Sequence, residues 1–252
     1  MNWETFKKPL IIAHRGETSH AIENTLPAIE AAMRLGVDGM GGVDGVEVDL
    51  QLTHDGEVVV FHDDTLQRLA GRKEKISQLS LQEIKKIRLG DTTIPTLKEL
   101  LDLTGQKILL NLELKSPSLF TGDLEEKVTA LLQEFKAQDS ILISSFHPIA
   151  LLRMKRKMPS LRLGTLFEKK LFWHQKLFPL IHPFSINAPL AAVSPKLVEQ
   201  THHEKRRLFV WTVNDENDIK KCVDANVDGI ITDNAEKCLT KIKTLMGNPS
   251  PS

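Results

Sequence analysis

Short runs of apolar and β-branched residues recur along the whole chain, and most are separated by a segment with the pattern of an amphipathic helix. The helix patterns include TLPAIEAAMRLG, TLKELLDLTG, LEEKVTALLQEFKAQ and ENDIKKCVDANV. This alternation predicts parallel strands covered by helices, because two parallel neighbours must be joined by a crossover. The nine candidate strands are residues 10–14, 46–52, 58–62, 108–115, 141–146, 161–167, 184–190, 208–213 and 228–233.

The second and third candidate strands are too close together for a helix between them. Only THDGE separates them, and Asp55-Gly56 is a typical signal for a tight hairpin turn. The third strand should therefore run antiparallel beside the second, which leaves eight parallel strands, as in a TIM barrel of about 250 residues. We predict an α/β fold, a TIM-like (β/α)8 barrel with an antiparallel hairpin after the second strand. Residues 1–245 should form a single domain and residues 246–252 a disordered tail.

The hairpin also predicts which side chains meet. If Asp55 and Gly56 form a two-residue loop, Asp49 lies opposite His62 on the neighbouring strand. Glu47 shares a face with Asp49, because side chains alternate along a strand. Two carboxylates and a histidine should therefore meet, and a shift of one residue in the register would separate them.

Composition and charge narrow the class of partner. Lys plus Arg equals Asp plus Glu at 33 each, so the net charge is zero and a nucleic-acid partner is disfavoured. The beginning, MNWETFKKPLIIAHRG, has an early acid and only a short apolar run, so we expect neither a signal peptide nor stable membrane insertion. Cys222 and Cys238 have no metal-ligand spacing and form no disulfide framework, which fits a reducing compartment. We therefore expect a cytoplasmic protein with a small-molecule partner; its oligomeric state stays open.

Several candidate strands end in charged side chains. In TIM barrels the active site lies at the carboxyl ends of the strands, so these side chains should surround one pocket. Three carboxylates suit a hard divalent cation, two histidines suit a general acid and base, and an arginine and a lysine suit a phosphate. A single acid at a strand end is usually a solvated loop residue, but burying several without partners would be costly. The side chains are His14, Arg15, Glu47, Asp49, His62, Glu113 and Lys115.

Other residues near the strand ends have weaker assignments. Phe146 and Trp211 could form an apolar wall for a substrate, although Trp211 could equally be barrel packing. Asn214 could cap the helix pattern that follows it. Glu23 and Asn24 could orient the charged groups or cap the first helix, and we favour a structural role for both.

Seven motifs in order resemble those of the glycerophosphodiester phosphodiesterases, over almost the whole chain from Leu10 to Asp233. They are AHRG followed by ENTLPAIEAA, VEVDLQLTHDGEVVVFHDDTLQR, IPTLKELL, NLELK, ISSF, VWTVN and DGIITD. The resemblance implies a TIM-like barrel that hydrolyses glycerophosphodiesters to glycerol 3-phosphate and an alcohol, with one divalent cation, commonly Mg²⁺ or Ca²⁺. The site roles that it implies are His14 and His62 as the acid/base pair, Arg15 and Lys115 on the phosphate, and Glu47, Asp49 and Glu113 as metal ligands.

One stretch departs from the family pattern. VDG occurs at 37–39 and again at 43–45, and the spacing from His14 to Glu47 is about six residues longer than the resemblance implies. A tandem duplication, VDGMGG at 37–42, explains both features. Its loop should lie at the face away from the active site, where insertions are usually tolerated, although a distorted start of the second strand would misplace Glu47.

Three alternative functions stay open. A lysophospholipase D on the same scaffold would be favoured if the apolar segment at 169–184 were exposed, although such a segment is more often a helix that faces the core. A non-catalytic barrel that binds phosphate compounds would have no need of an acid/base pair. A phosphoinositide-specific lyase would share the barrel and the histidines by analogy only and would stop at the cyclic phosphate.

Overall fold

Parallel strands surrounded by helices form a closed barrel in this computed structural model, which describes residue 3 and residues 9–36, 42–115, 122–168 and 175–247. In chain order the strands are β1 Leu10–His14, β2 Gly45–Leu52, β3 Val58–Val60, β4 Arg88–Leu89, β5 Thr92–Thr93, β6 Leu109–Leu114, β7 Ile141–Ser145, β8 Arg162–Leu166, β9 Ser185–Pro189, β10 Arg207–Trp211 and β11 Gly229–Thr232. The eight parallel strands follow the order β1-β2-β6-β7-β8-β9-β10-β11, and β11 pairs back on β1. The predicted TIM-like (β/α)8 barrel is confirmed.

The helices lie where the amphipathic patterns predicted them, with short additional turns. Their ends follow from local signals: the helix that begins at Leu97 has a capping box, in which Thr96 and Glu99 bond each other's backbone N–H groups at 3.1 and 2.7 Å. The α-helices are Leu26–Arg34, Gln67–Ala70, Leu81–Ile84, Leu97–Thr104, Asp123–Glu134, Pro148–Lys157, Phe178–Ile181, Pro195–His203, Glu216–Asp224 and Ala235–Gly247, and the 3₁₀ turns are Ile76–Gln78 and Leu190–Ala192.

The apolar side chains form one layer inside the barrel and another between the barrel and the helices. Inside, Ile12, Leu109 and Phe209 from three strands pack together with Trp3. The Trp3 ring lies 5.7 Å from that of Phe209, and its indole N–H donates to the carbonyl of Ser140 at 3.0 Å, just before β7 begins. This apolar filling therefore occupies the amino-terminal part of the barrel, and the carboxyl ends of the strands are left for polar side chains.

The antiparallel hairpin after β2 is present, but its predicted register is wrong by one residue. Leu50 pairs with Val60. The residue opposite Asp49 is Phe61, whose N–H donates to the carbonyl of Asp49 at 2.9 Å, and not His62. By the ladder alone, His62 would therefore point away from the face that carries Asp49.

The register differs because the hairpin loop has three residues instead of two. The N–H of Thr53 donates to the carbonyl of Glu57 at 3.0 Å, and Gly56 adopts φ +79°, the left-handed conformation typical of the last position in such loops. The ladder ends at Val60, and the chain then turns beneath the side chain of Gln51. The Gln51 amide nitrogen lies 3.1 Å from the carbonyl of His62, so this turn, and not strand pairing, brings His62 to the barrel mouth.

The chain between β3 and β6 forms an excursion with its own small apolar core. Phe61, Leu66 and Ile84 are fully buried in it, separately from the two barrel layers. The excursion carries His62 at its start and Arg68 on its first helical turn. The sequence analysis did not predict it as a unit, because its apolar positions follow neither helix nor strand periodicity for more than a few residues.

The predicted duplication VDGMGG at 37–42 lies outside the described residues except for Gly42. The strand start that follows it is regular. The N–H of Ile11 donates to the Asp44 carboxylate at 2.8 Å, and the N–H of Asp44 donates back to the carbonyl of Ile11 at 2.9 Å. Gly45 then pairs in register with Leu109, so Glu47 sits at its ladder position undistorted.

Two other predicted segments lie partly outside the described residues. Of the apolar segment 169–184, residues 175–184 are described, and within them Phe178 and Ile181 are buried while Leu180 is exposed. The predicted tail 246–252 is described as far as Gly247, where the last helix ends. No helix in the described ranges is long and apolar enough to cross a membrane.

Candidate functional site

A cavity of about 310 Å³ at the carboxyl ends of the strands is lined by all but one of the predicted site residues. Asp49 is the exception: it lies buried beside the cavity, in contact with two of the lining cations. The predicted residues that line the cavity are His14, Arg15, Glu47, His62, Glu113, Lys115, Phe146 and Trp211. The other lining residues are Asn111, Ser144, Leu166, Glu168, Thr212 and Ile231.

Three carboxylates meet on the neighbouring strands β2 and β6. Asp49 is the register partner of Glu113, and Glu47 lies two residues before Asp49 on the same face. One oxygen from each of the three lies within 4.8 Å of the other two. All three residues are buried, so their mutual repulsion is strong unless cations neutralise it.

Two cations partly neutralise this acidic cluster. The ammonium of Lys115 lies 2.6 Å from Glu113 Oε1 and 3.1 Å from Asp49 Oδ1, and Arg15 Nε lies 3.4 Å from Asp49 Oδ2. Burial raises the pKa of Asp49, but Lys115 and Arg15 outweigh it and hold that pKa below its ordinary value. The same contacts raise the pKa of Lys115 despite its burial. Asp49 is therefore ionised between two permanent cations.

Glu47 carries the charge that the two cations leave unbalanced. Burial, together with the neighbouring Asp49 and Glu113, raises the pKa of Glu47 well above its ordinary value. Its Oε1 has no hydrogen-bond partner among the described residues. Burial and the neighbouring Asp49 raise the pKa of Glu113 as well. Three carboxylates against two cations leave one negative charge, which favours either a proton bound within the cluster or an added cation. The oxygen-only donor set and the open Oε1 fit a hard divalent cation.

His14 is held by a carboxylate at the end of the neighbouring strand. Its Nδ1 lies 2.6 Å from Asp233 Oδ1, and the Asn214 side-chain amide donates to Asp233 Oδ2 at 2.7 Å. Burial raises the pKa of Asp233, but His14, the Asn214 hydrogen bond and the charge of Arg15 together outweigh it, so that pKa lies below its ordinary value. Because an ionised carboxylate only accepts, Nδ1 carries the hydrogen. Nε2, 3.8 Å from Glu47 Oε2, is left to take up or release a proton.

His62 is held in the same way by its sequence neighbour. Its Nδ1 lies 2.7 Å from Asp63 Oδ1. Hydrogen bonds from Arg68 lower the pKa of Asp63 to about 2, so Asp63 is ionised and also only accepts. Burial lowers the pKa of His62, which outweighs the opposite effect of nearby Asp49. The two histidines therefore present the same free atom, Nε2, at one cavity.

The His-Arg-Gly sequence is explained by the turn that follows β1. Arg15 has φ 58° and Gly16 has φ 93°, both in the left-handed region. A side chain at Gly16 would place its Cβ 2.6 Å from the Cβ of Ala28, so only glycine fits there. The turn aims the backbone N–H of Arg15 at Glu47 Oε2, 3.2 Å away, and its carbonyl accepts from the N–H of Asn24 at 2.8 Å. The strained turn thus sets Arg15 at the acidic cluster.

The remaining walls of the cavity are apolar on one side and polar at depth. The Phe146 and Trp211 rings stand edge to face at 5.7 Å, and the Trp211 indole N–H donates to the carbonyl of Asn187 at 3.0 Å. Asn111 and Ser144 are fully buried at the cavity. Their side-chain oxygens have no hydrogen-bond partner in the described part of the chain. The cavity therefore offers an apolar wall and unused polar atoms beside its charged end.

The sequence analysis missed the carboxylates behind the histidines. A signal existed for each: Asp63 directly follows His62, and Asp233 ends the last strand, which must adjoin β1 in a closed barrel. The sequence analysis gave neither acid a role in the site, because an acid beside a strand end is usually solvated.

Two side-chain amides also differ from their predicted roles. The Asn24 side chain donates to Asp49 Oδ2 at 2.8 Å and accepts from the N–H of Asp49 at 3.2 Å, so it orients a candidate ligand. Asn214 does not cap the following helix. Asp215 does, by accepting from the N–H of Asn217 at 2.8 Å.

This chain is similar to known proteins over most of its length. The glycerophosphoryl diester phosphodiesterase family model matches residues 14–237. The chain is 36% identical over 250 residues to a glycerophosphodiester phosphodiesterase of Caldanaerobacter subterraneus subsp. tengcongensis, covering 94% of this chain and 98% of that protein. It is 34% identical to one of Bacillus altitudinis, covering 88% and 94%. The structure of an Oleispira antarctica phosphodiesterase in complex with the product sn-glycerol-3-phosphate matches with a TM-score of 0.86 and 27% identity, over 93% of this chain and 97% of that one. The chain therefore belongs to the glycerophosphoryl diester phosphodiesterase family.

Proposed function

We propose that this protein hydrolyses glycerophosphodiesters to glycerol 3-phosphate and an alcohol, by two-histidine acid/base catalysis with one divalent cation. The observation that carries this proposal is the pairing of the acidic cluster with two histidines whose Nδ1 atoms are each held by a carboxylate. Residues 1–245 would form the single catalytic domain. The free, buried Cys222 and Cys238 are consistent with activity in the cytoplasm.

Glu47, Asp49 and Glu113 would hold the cation, Mg²⁺ or Ca²⁺, because both ions prefer oxygen ligands. The bound ion would supply a Lewis acid that neutralises charge on the phosphoryl oxygens. The charge balance supports this assignment. With the three carboxylates and two cations already present, a divalent ion changes the net charge of the cluster from one negative to one positive. A phosphodiester carries one negative charge, so the loaded site attracts it.

Arg15 and Lys115 would bind the phosphodiester group, Arg15 through its planar fork and Lys115 as a point charge. His14 or His62 takes the proton from the attacking hydroxyl through Nε2, and the other donates a proton to the leaving alcohol. If the attacker is the neighbouring hydroxyl of glycerol, its oxygen bonds to phosphorus as the ester bond to the alcohol breaks. Water then opens the cyclic phosphate, with the two histidines exchanging roles.

The glycerol part of the substrate would lie between the aromatic wall and the polar atoms at depth. Phe146 and Trp211 would contact its carbon atoms, and the unused oxygens of Asn111 and Ser144 would hydrogen-bond its hydroxyl groups. The product named for the Oleispira antarctica structure, sn-glycerol-3-phosphate, supports a glycerol-containing substrate here.

The test is release of glycerol 3-phosphate from glycerophosphocholine by the purified protein with Mg²⁺, with Ca²⁺ and with chelator. We expect release only with metal. His14→Ala and His62→Ala should each lose a factor of about 10²–10⁴ in kcat while remaining folded. His203→Ala is the matched control, because His203 is exposed at the far end of its helix.

Two results would count against the proposal. Metal-independent release would remove the assigned role of the acidic cluster. No release with either metal from folded protein would reject these substrates, and lysophospholipids would then be tested for lysophospholipase D activity.

A further inference from the structure

Arg68 makes four hydrogen bonds to two carboxylates at the rim of the cavity. Its Nε and Nη2 donate to the two oxygens of Asp63 at 2.7 and 3.0 Å. Its Nη1 and Nη2 donate to the two oxygens of Glu23 at 2.8 and 2.7 Å. Each carboxylate is thus held at both oxygens, the strongest arrangement a guanidinium can make.

Both carboxylates lead directly to a residue of the proposed mechanism. Asp63 accepts from Nδ1 of His62 at 2.7 Å, and Glu23 accepts from Nη1 of Arg15 at 2.8 Å. Arg68 therefore joins the turn after β1, which carries Arg15, to the excursion after β3, which carries His62. Arg68 and Glu23, which meet across these two segments, are 45 positions apart in the chain.

A contribution to overall stability does not explain this arrangement. The Arg68 side chain is 47% exposed, so solvent screens its ion pairs, and a role in stability alone would not require both of its carboxylates to contact residues of the cavity. What four aligned bonds do provide is fixed geometry. A planar fork that grips two carboxylates at once removes the rotational freedom of both.

We propose that Arg68 is a positioning residue, which holds His62 and Arg15 in one fixed geometry through Asp63 and Glu23. This inference rests on the proposed function. It assigns to Arg68 no contact with the substrate. Its effect passes through Asp63, which fixes the Nδ1–H tautomer of His62, and through Glu23, which fixes the direction of the Arg15 guanidinium.

The kinetic test compares Arg68→Met with Arg72→Met in the full-length protein with metal. Arg72 is a matched control, because it is similarly exposed and its one ion-pair partner among the described residues is Glu74. Arg68→Met should lower kcat for glycerophosphocholine about tenfold or more and raise KM, while its unfolding temperature falls by at most about 4 °C and it stays folded in the assay. The kcat of Arg68→Lys should lie between those of wild type and Arg68→Met, since an ammonium keeps the positive charge but lacks the planar fork of a guanidinium.

A double-mutant cycle separates positioning from a general disturbance. If Arg68 acts on His62 through Asp63, the loss of kcat in Arg68→Met combined with Asp63→Asn should be smaller than the product of the two single losses, with any remaining loss passing through Glu23. Fully multiplicative losses would overturn the inference. So would wild-type kcat and KM in Arg68→Met.

A substrate-independent measurement keeps this inference separate from the proposed function. The Nδ1–H proton of His62 should give a sharp, exchange-protected NMR signal, assigned by its loss in His62→Gln. That signal should broaden or vanish in Arg68→Met and persist in Arg72→Met. A wild-type protein inactive on glycerophosphodiesters would reject the proposed function alone, whereas an unchanged His62 signal in Arg68→Met would reject the positioning role.

Discussion

His14 and His62 depend on carboxylates that never touch the cavity-facing nitrogen. Asp233 and Asp63 each accept from Nδ1, at 2.6 and 2.7 Å, and so select the tautomer that leaves Nε2 as the working atom. A histidine without such a partner would exchange between two tautomers and rotate. The tautomer of each imidazole is therefore set by the carboxylate that accepts from its Nδ1.

Replacing Asp233 tests this dependence. Asp233→Asn should lower kcat by between roughly 10- and 1,000-fold, because an amide no longer selects the Nδ1–H tautomer of His14. KM should change little, since Asp233 bonds His14 and Asn214 and, in the described part of the chain, makes no ion pair with Arg15 or Lys115. Steady-state kinetics on glycerophosphocholine measures both, with the exposed Asp224→Asn as control. A wild-type kcat in Asp233→Asn would refute the role.

At the level of elements, two turns contain a glycine with positive φ, and they differ in how tightly they are packed. Gly16 follows β1 and has backbone and side-chain atoms of Ala28 within 2.9 Å of an added Cβ. Gly56 closes the hairpin loop, and among the described residues an added Cβ there would meet the end of the Lys127 side chain, Cε at 3.6 Å and Nζ at 3.9 Å, which are ordinary contacts. Both glycines have positive φ, so a side chain would strain either position. At Gly16 the side chain would also clash with Ala28.

Alanine at each glycine should separate the two effects. Gly56→Ala should lower the free energy of unfolding by about 1–2 kcal/mol, the cost of the left-handed conformation alone. Gly16→Ala should lower the free energy of unfolding by more than that. It should also lower activity, because the turn that holds His14 and Arg15 must move. Urea unfolding and glycerol 3-phosphate release measure the two outcomes. Equal stability of the two variants, with full activity in Gly16→Ala, would contradict the packing argument.

At the level of the whole molecule, barrel closure brings charged side chains from several elements together at one end of the barrel. β2 and β6 supply the three acids, and the turn after β1 supplies Arg15. The result is an excess of negative charge in the cluster, which raises the pKa of Glu113 and, more strongly, that of Glu47. A carboxyl whose pKa folding raises binds more protons folded than unfolded. Its contribution to stability is complete below the ordinary Glu value of 4.5 and is lost as pH rises through the raised pKa.

Metal should reverse this loss. In chelator, the contribution of Glu47 to the free energy of unfolding should fall as pH rises above its ordinary pKa. Mg²⁺ or Ca²⁺ at 100 times its Kd should raise the unfolding temperature by roughly 5–10 °C at neutral pH, and by less in acid, where a proton competes for Glu47. Glu47→Gln should remove most of the effect and exposed Glu74→Gln should keep it. Thermal unfolding that metal leaves unchanged at every pH would disprove the assignment.

Much of the barrel was predictable because its signals are local. Apolar runs, helix patterns and turn residues each depend on interactions among a few neighbouring residues. The parallel strands accordingly coincide with the apolar runs of the sequence. The register of β3 was not predictable in the same way. Asp55-Gly56 allows a two-residue or a three-residue loop, and the choice moves every later residue to the other face. His62 still reaches the cavity, because Gln51 holds the turn after Val60.

The sequence by itself determined the alternation of strands and helices, the charged residues at the strand ends and the glycine in His-Arg-Gly, because each reflects backbone conformation or side-chain periodicity within one segment. Only the tertiary structure decided that Asp233 meets His14, 219 residues away, and that Arg68 links Glu23 to Asp63. Those contacts depend on how the closed sheet brings its first and last strands together and on where the excursion lies over the barrel mouth. No local pattern encodes either, since both arise from packing between segments far apart in the chain.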